Sequence, residues 1–148
     1  MSQPLASDDG LSPSQRAEAL NATFVYNLHA LLGMRYDTLE AGRATSRLQV
    51  RPDLFAGNGY LHAATVVALA DSACAHGCLA TLPEGASGFT TIELKTNFLG
   101  TAREGEIVCV ATMAHGGRTT QVWDAQVRRG HDERIIALFR CTELILYP

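Results

Sequence analysis

The pattern of apolar and polar residues predicts a helix near the start of the chain. Ser12 followed by Pro13 is typical of a helix N-terminus. Apolar residues then recur at close to helical spacing as far as about Leu32, where Gly33 ends the pattern. Farther along the chain, residues 50–59 contain one proline and two glycines, which is typical of an ordered loop. Two runs of strand character lie between the helix and this loop, over Met34–Glu40 and Arg43–Val50.

The segment Leu61–Ala80 has a different character, because it is apolar on nearly every helical face and rich in alanine. A helix that is hydrophobic all round must be buried all round. Its small side chains allow a sheet or a second helix to approach closely. Beyond Gly85 the chain alternates between strand-like runs and short turns, which predicts antiparallel hairpins. The runs are residues 91–98, Glu106–His115, Arg118–Arg129 and Arg134–Leu146, with a turn at Thr101–Gly105.

Together these elements predict an α+β fold. An antiparallel sheet of about five strands curls around one long buried helix, which is the hotdog arrangement, and an additional helix precedes it. We expect a flexible tail over residues 1–11 and a single domain over residues 12–148. One sheet face cannot cover every side of the helix, so part of the helix must meet another subunit. The pattern therefore predicts a homodimer or a homotetramer.

Composition and charge exclude several classes of protein. A net charge of −3 and a pI near 5.9 argue against a nucleic-acid-binding protein, which usually carries a basic face. No apolar run approaches the roughly 18 residues of a membrane span, and the polar, acidic start does not resemble a signal peptide. We expect a cytoplasmic protein. Its cysteines are expected to be buried free thiols without a metal, at Cys74, Cys78, Cys109 and Cys141.

Two features of the buried helix are candidates for chemistry. A glycine-bearing loop enters the helix at His62-Ala63-Ala64, and the first turn of a helix leaves backbone N–H groups unpaired. Such a terminus can hold an anion or polarise a carbonyl. Asp71 lies mid-helix among apolar neighbours, where a carboxylate is either satisfied structurally or held for reaction.

The run from His62 to Asp71 resembles the H-G-G-x-x-x-x-L-A-D motif of hotdog-fold acyl-CoA thioesterases of the phenylacetate-pathway type. Further short motifs of these thioesterases match Thr90–Leu99 and Gly117–Thr120, in the same order along the chain. Both glycines of the usual motif are alanines here, Ala63 and Ala64. Alanine still supplies the N–H, although its methyl group narrows the entry.

The resemblance implies a role for each matching position. Asp71 would act on the thioester as general base or as nucleophile, and the Ala63 N–H would bind the carbonyl oxygen. Thr91 would position the lytic water, and His62 would orient the loop or contact the substrate. Coenzyme A enters only as part of the substrate, and no other cofactor is implied. The residues expected to contact substrate are Asn58, Gly59 and Tyr60 on the loop, and Gly117, Arg118 and Thr119 at the later hairpin, where Arg118 suits a phosphate.

Spacing along the helix limits how these groups meet. Ala63 and Asp71 are eight residues apart, or about 12 Å at 1.5 Å per residue, whereas attack requires about 3 Å. The site should therefore pair Ala63 of one subunit with Asp71 of another. Two alternatives remain for the function: a hotdog hydratase or dehydratase of acyl thioesters that uses His62 with Asp71, and a non-catalytic acyl-CoA-binding protein.

Overall fold

The computed structural model describes residues 10–148, so most of the expected flexible tail over residues 1–11 lies outside the described part of the chain. The helices are α1 (Pro13–Asn21), α2 (Leu28–Leu32) and α3 (Ala63–Leu79), with a 3₁₀ turn at Pro52–Leu54. The strands are β1 (Arg35–Glu40), β2 (Arg43–Gln49), β3 (Gly88–Phe98), β4 (Glu106–Gly116), β5 (Thr120–Arg129) and β6 (Ile135–Leu146).

The N-terminal region forms two short helices, so the prediction of one continuous helix to about Leu32 is wrong. The first helix starts as predicted, with a capping box at Ser12. It ends early because the Thr23 hydroxyl donates to the Leu20 carbonyl (2.7 Å) and competes with the next helical turn. Asn27 then caps the second helix, and Gly33 ends it in the left-handed conformation that favours glycine.

The sheet has six antiparallel strands, one more than expected, in the order β1-β2-β4-β5-β6-β3. Each of the six packs against α3, so the sheet curls around the helix as predicted. The prediction of a hairpin at Thr101–Gly105 is wrong, because β3 does not pair with β4. Instead β3 pairs with β6 at the far edge, with Thr91 opposite Glu143 and Phe98 opposite Ala137.

Small residues let α3 lie close to the sheet, as expected. Trp123 on β5 is fully buried beneath Gly77, where a Cβ would lie 2.6 Å from the indole ring. The face of α3 toward the sheet is buried, whereas Val67, Ala68 and Asp71 on the other side are only partly covered. The helix is therefore not buried all round within one chain.

The two edges of the sheet differ in how they are protected. Asn21 covers the edge at β1, because its side chain donates to the Tyr36 carbonyl (2.9 Å) and accepts from the Tyr36 N–H (2.7 Å). At the other edge, β3 pairs on one side only among the described residues. This edge strand is long and exposes Ile92 (55%), Leu94 (47%) and Phe98 (48%). Long apolar edges are usually covered by another strand.

The four cysteines are buried and unpaired, as predicted. Burial raises the pKa of Cys78 and that of Cys109 to about 12, so both thiols stay protonated and unreactive at neutral pH. Within residues 10–148, no group of three or more His, Cys, Asp or Glu side chains is placed to hold a metal ion. No helix in that range is both long and apolar enough to cross a membrane.

Candidate active site

The loop that enters α3 is a tight, hydrogen-bonded turn. The Ala56 N–H donates to the Tyr60 carbonyl (2.8 Å), and the Asn58 side chain accepts from the Tyr60 N–H (3.1 Å). Gly59 has φ +78°, a conformation that side chains disfavour. The Leu61 N–H donates to the Thr101 hydroxyl (3.2 Å), which ties the loop to the segment after β3. These bonds fix where α3 begins.

At the first turn of α3 one N–H group remains open. His62 is the N-cap, and its Nδ1 accepts from the Ala64 N–H (3.0 Å) while its carbonyl accepts from the Thr65 N–H (3.0 Å). The Ala63 N–H, at the first helical position, has no acceptor among the described residues. His62 therefore has a structural role that the sequence left open, and its cap requires an unprotonated Nδ1.

A cavity of about 320 Å³ lies in front of this N-terminus. Three predicted substrate or catalytic positions line it with Ala63, namely Asn58, Tyr60 and His62, whereas Gly59 lies in the same turn without lining it. The sequence patterns did not identify the remaining lining residues, which include Val66, Phe98, Gly100 and Thr101. They also did not identify Arg103, whose guanidinium lies 5.4 Å from the centroid of the Tyr60 ring.

Asp71 lies farther along α3 and is half-buried. Burial raises the pKa of its carboxyl above the ordinary value of 3.8. The buried Oδ1 has no hydrogen-bond partner among the described residues. Among residues 10–148, no basic side chain contributes to the shift and no ion pair holds Asp71. An unpaired carboxylate in this position is available to accept a proton or a substrate group.

Thr91 and a second acid lie on the sheet beside this part of α3. Glu143, on β6, is fully buried and lies opposite both Thr91 and Gln121 on the neighbouring strands. Burial raises the pKa of Glu143. Hydrogen bonds from Thr91 and from Cys141 act to lower this pKa, and the negative charge of Asp71 acts to raise it. Glu143 was not among the predicted site residues, although the sequence contains a signal for it, an acid at an inward position of an otherwise apolar strand.

The hairpin at Gly117, Arg118 and Thr119 lies at the opposite end of the sheet from the cavity. The Tyr147 hydroxyl donates to the Arg118 carbonyl (2.6 Å), and the Ile145 N–H donates to the Thr119 carbonyl (2.9 Å). The start of β5, next to this hairpin, pairs with Leu144, whereas the cavity residue Phe98 pairs at Ala137. Seven residues of extended β6 separate these points, or about 24 Å.

Within one chain the predicted site residues therefore form two groups. The first group, Asn58–Ala63, surrounds the cavity at the start of α3. The second group contains Asp71 and Thr91, with the hairpin Gly117–Thr119 beyond them. The structure does not bring the two groups together in a single chain.

The chain matches the thioesterase superfamily over residues 58–136, which is more than half of its length. It is 28% identical over 115 residues to a 1,4-dihydroxy-2-naphthoyl-CoA hydrolase of Listeria monocytogenes serotype 1/2a (strain 10403S), a match that covers 78% of this chain and 92% of the relative. A crystal structure of a mutant of the thioesterase PA1618 from Pseudomonas aeruginosa superposes with a TM-score of 0.81 and 28% identity, covering 88% of this chain and 93% of that one.

The PaaI protein of the Escherichia coli phenylacetic acid degradation operon has the same fold, with a TM-score of 0.77 over 91% of this chain and 96% of that one, at 22% identity. The chain belongs to the thioesterase superfamily. The predicted hotdog fold and the predicted class of enzyme, a thioester hydrolase, are thereby confirmed.

Proposed function

We propose that this protein hydrolyses an acyl-CoA thioester to a free carboxylic acid and coenzyme A. The observation that carries the proposal is the open Ala63 N–H, which faces a cavity at the positive end of α3. A thioester carbonyl seated there would receive one preorganised donor where negative charge develops during attack. The Listeria relative, by its name, acts on a CoA thioester, which supports the same class of substrate.

Asp71 would supply the second half of the chemistry. As general base, its carboxylate takes a proton from water while the water oxygen bonds to the thioester carbon. The C–S bond then breaks, and the departing thiolate takes up the proton from Asp71. As nucleophile, the same carboxylate would bond to the thioester carbon while the C–S bond breaks and coenzyme A leaves as a thiolate. Water then hydrolyses the resulting anhydride to the free acid and the Asp71 carboxylate, and the proton released in this step goes to the thiolate. In both modes Asp71 must be ionised, so kcat/KM should rise with pH through a titration above 3.8, because burial raises this pKa.

The proposed site lies between two copies of the chain. The open edge of β3 is centred on Glu93 and exposes apolar residues, so it suits antiparallel pairing with β3 of a second copy. Such pairing would place the Phe98 end of one strand, beside the cavity, next to the Thr91 half of the other. The partly covered face of α3 that carries Asp71 would also become buried. A homodimer, alone or within a homotetramer, would thus unite Ala63 of one subunit with Asp71 and Thr91 of the other.

Substrate contacts follow from the same arrangement. Asn58 and Tyr60 line the cavity and would contact the acyl group or the thioester. Two arginines would contact the phosphates of coenzyme A. Arg118 lies beside Gly117 and Thr119 on the hairpin, and Arg103 lies over the Tyr60 ring. The cavity is partly apolar, with Val66 and Phe98 in its wall, which suits a hydrophobic acyl chain or an aromatic ring.

Release of free thiol from short, medium and aromatic acyl-CoAs tests the proposal, with Asp71→Asn and Asp71→Ala as variants. We expect hydrolysis of at least one member of the panel and a loss of kcat of at least 100-fold in both variants, within the roughly 10²–10⁴ range of acid–base groups. Unchanged turnover in both variants would exclude the mechanism. Tight binding of acyl-CoA without hydrolysis would favour a binding protein, and hydration of an enoyl-CoA would favour a hydratase.

A further inference from the structure

The fully buried Glu143 is a feature that the proposed mechanism does not use. Its side chain lies at 0% exposure opposite Thr91 of β3, on the side of the sheet that faces Asp71 and Cys78 of α3. One carboxyl oxygen, Oε1, accepts from the Cys141 thiol (3.3 Å). The other, Oε2, has no hydrogen-bond partner among the described residues. A buried acid that is only half satisfied destabilises a fold, so its presence calls for a functional explanation.

The neighbours of Glu143 exclude a simple role in charge pairing. The titratable groups that face it are Asp71 and Cys78 from α3 and Cys141 from its own strand, while β3 and β5 contribute the uncharged Thr91 and Gln121. Within the part of the chain that the structure describes, no lysine, arginine or histidine contributes to the shift in the pKa of Glu143. Gln121 is itself bound to other groups, since its amide donates to the Thr81 carbonyl (2.9 Å) and accepts from the Trp123 indole (2.9 Å).

Thr91 connects this acid to the proposed site. Thr91 lies directly opposite Glu143 in the β3–β6 register, and its hydroxyl acts as a donor that opposes the rise in the pKa of this carboxyl. A hydroxyl has only one hydrogen to donate. When that hydrogen is directed to Glu143, the lone pairs of the Thr91 oxygen are left free to accept from another donor. A water can then donate one hydrogen to the Thr91 oxygen and the other to Asp71. In this orientation a lone pair of the water oxygen points to the thioester carbon.

We infer that Glu143 is a positioning residue that fixes the direction of the Thr91 hydroxyl and, through it, the orientation of the attacking water. This inference rests on the proposed hydrolase function and adds a residue to it. Glu143 does not touch the substrate in this arrangement. It acts by fixing which end of the Thr91 hydroxyl faces the water, so that the water reaches Asp71 in the orientation needed for attack.

Replacement of Glu143 by methionine tests the inference, because methionine has a similar length and no oxygen. We expect kcat of Glu143→Met to fall about 10–100-fold with KM changed less than about threefold, since only the reacting geometry is disturbed. The melting temperature should rise by about 4 °C or more, because a half-satisfied buried acid has been removed. A role limited to stability predicts the reverse, with a lower melting temperature and little change in kcat.

Three further variants complete the design. Glu143→Gln keeps an oxygen that can accept from Thr91 and should retain kcat within about threefold. Thr91→Val should lose as much activity as Glu143→Met, and the double variant should lose no more than either single one, because both act on one water. Asp124→Asn is the matched control, since Asp124 is an acid on the exposed face of the neighbouring strand β5, where it pairs with Arg140 (2.6 Å). It should keep the kcat of the unaltered protein.

The outcomes separate the two proposals. An unaltered protein that hydrolyses no acyl-CoA overturns the proposed function. Hydrolysis that depends on Asp71, together with full kcat in Glu143→Met, overturns only the role of Glu143. Additive losses in the double variant, or a Glu143→Met protein that fails to fold, would also overturn it, because the carboxyl would then act independently of Thr91 or as a support of the fold.

Discussion

Replacing Ala63 by proline removes a single N–H group with little other disturbance. Ala63 is the first residue of α3, where proline is well tolerated and where no intrahelical hydrogen bond is lost. The preceding residue, His62, has φ −63° and ψ 134°, within the region that a following proline allows. We therefore expect the free energy of unfolding of Ala63→Pro to stay within about 1 kcal/mol of that of the unaltered protein.

The effect on activity should be much larger. Loss of one oxyanion donor typically costs about 2.7–4 kcal/mol in transition-state stabilisation, or about 10²–10³ in kcat. KM should change little, because the bond strengthens only as charge develops on the carbonyl oxygen. Steady-state thiol release and urea denaturation measure the two quantities separately.

A matched control keeps the N–H and changes the side chain. Ala63→Gly restores the residue of the usual motif and removes the methyl group at the entry, so its kcat should equal or exceed that of the unaltered protein. The reasoning is refuted if Ala63→Pro, correctly folded, retains kcat within about threefold of the unaltered value.

Three further predictions concern stability. His62→Ala should lower the free energy of unfolding by about 1 kcal/mol in urea denaturation, whereas His62→Asn keeps the helix cap and most of the stability. Gly77→Ala should lower the free energy of unfolding by about 1–3 kcal/mol because its Cβ would lie 2.6 Å from the Trp123 ring. Gly57→Ala should leave this free energy unchanged, since no atom lies within 4 Å of the added Cβ. Equal effects of the two variants would contradict the packing. Burial lowers the pKa of His76 from 6.5 to about 4, so the unfolded chain binds its proton first as pH falls. Stability should thus drop by up to about 3 kcal/mol between pH 6.5 and 4 relative to His76→Asn, as followed by thermal melts; parallel profiles would count against a buried neutral imidazole.

Local patterns were enough to predict most of the elements. The all-apolar stretch 61–80 identified the central helix, and its small, alanine-rich side chains predicted that a sheet or a second helix could approach closely. Local patterns failed where pairing is non-local. The short turn at 101–105 favoured a hairpin, but β3 instead pairs with β6, about 45 residues later in sequence. The break between α1 and α2 also escaped the helical periodicity, because it depends on Thr23 and Asn27 hydrogen bonds.

The candidate site was predicted in part, for similar reasons. The motif around Asp71 and the loop before Ala63 are contiguous in sequence, so they could be identified directly. Glu143 and Phe98 lie on strands and Arg103 lies on the segment after β3, so all three reach the site only through the fold of the sheet. Their neighbours are set by strand register, which the sequence does not display. The open N–H of Ala63 depends on which groups His62 caps, and that too required the structure.

Activity of a mixed dimer tests the central claim most directly. Asp71→Asn and Ala63→Pro chains, carrying different affinity tags, are co-expressed and the heterodimer is isolated through both tags. One of its two sites would combine the intact Ala63 of the first chain with the intact Asp71 of the second. We predict about half of the unaltered activity in the heterodimer and almost none in either parent. A heterodimer as inactive as its parents would contradict a site shared between subunits.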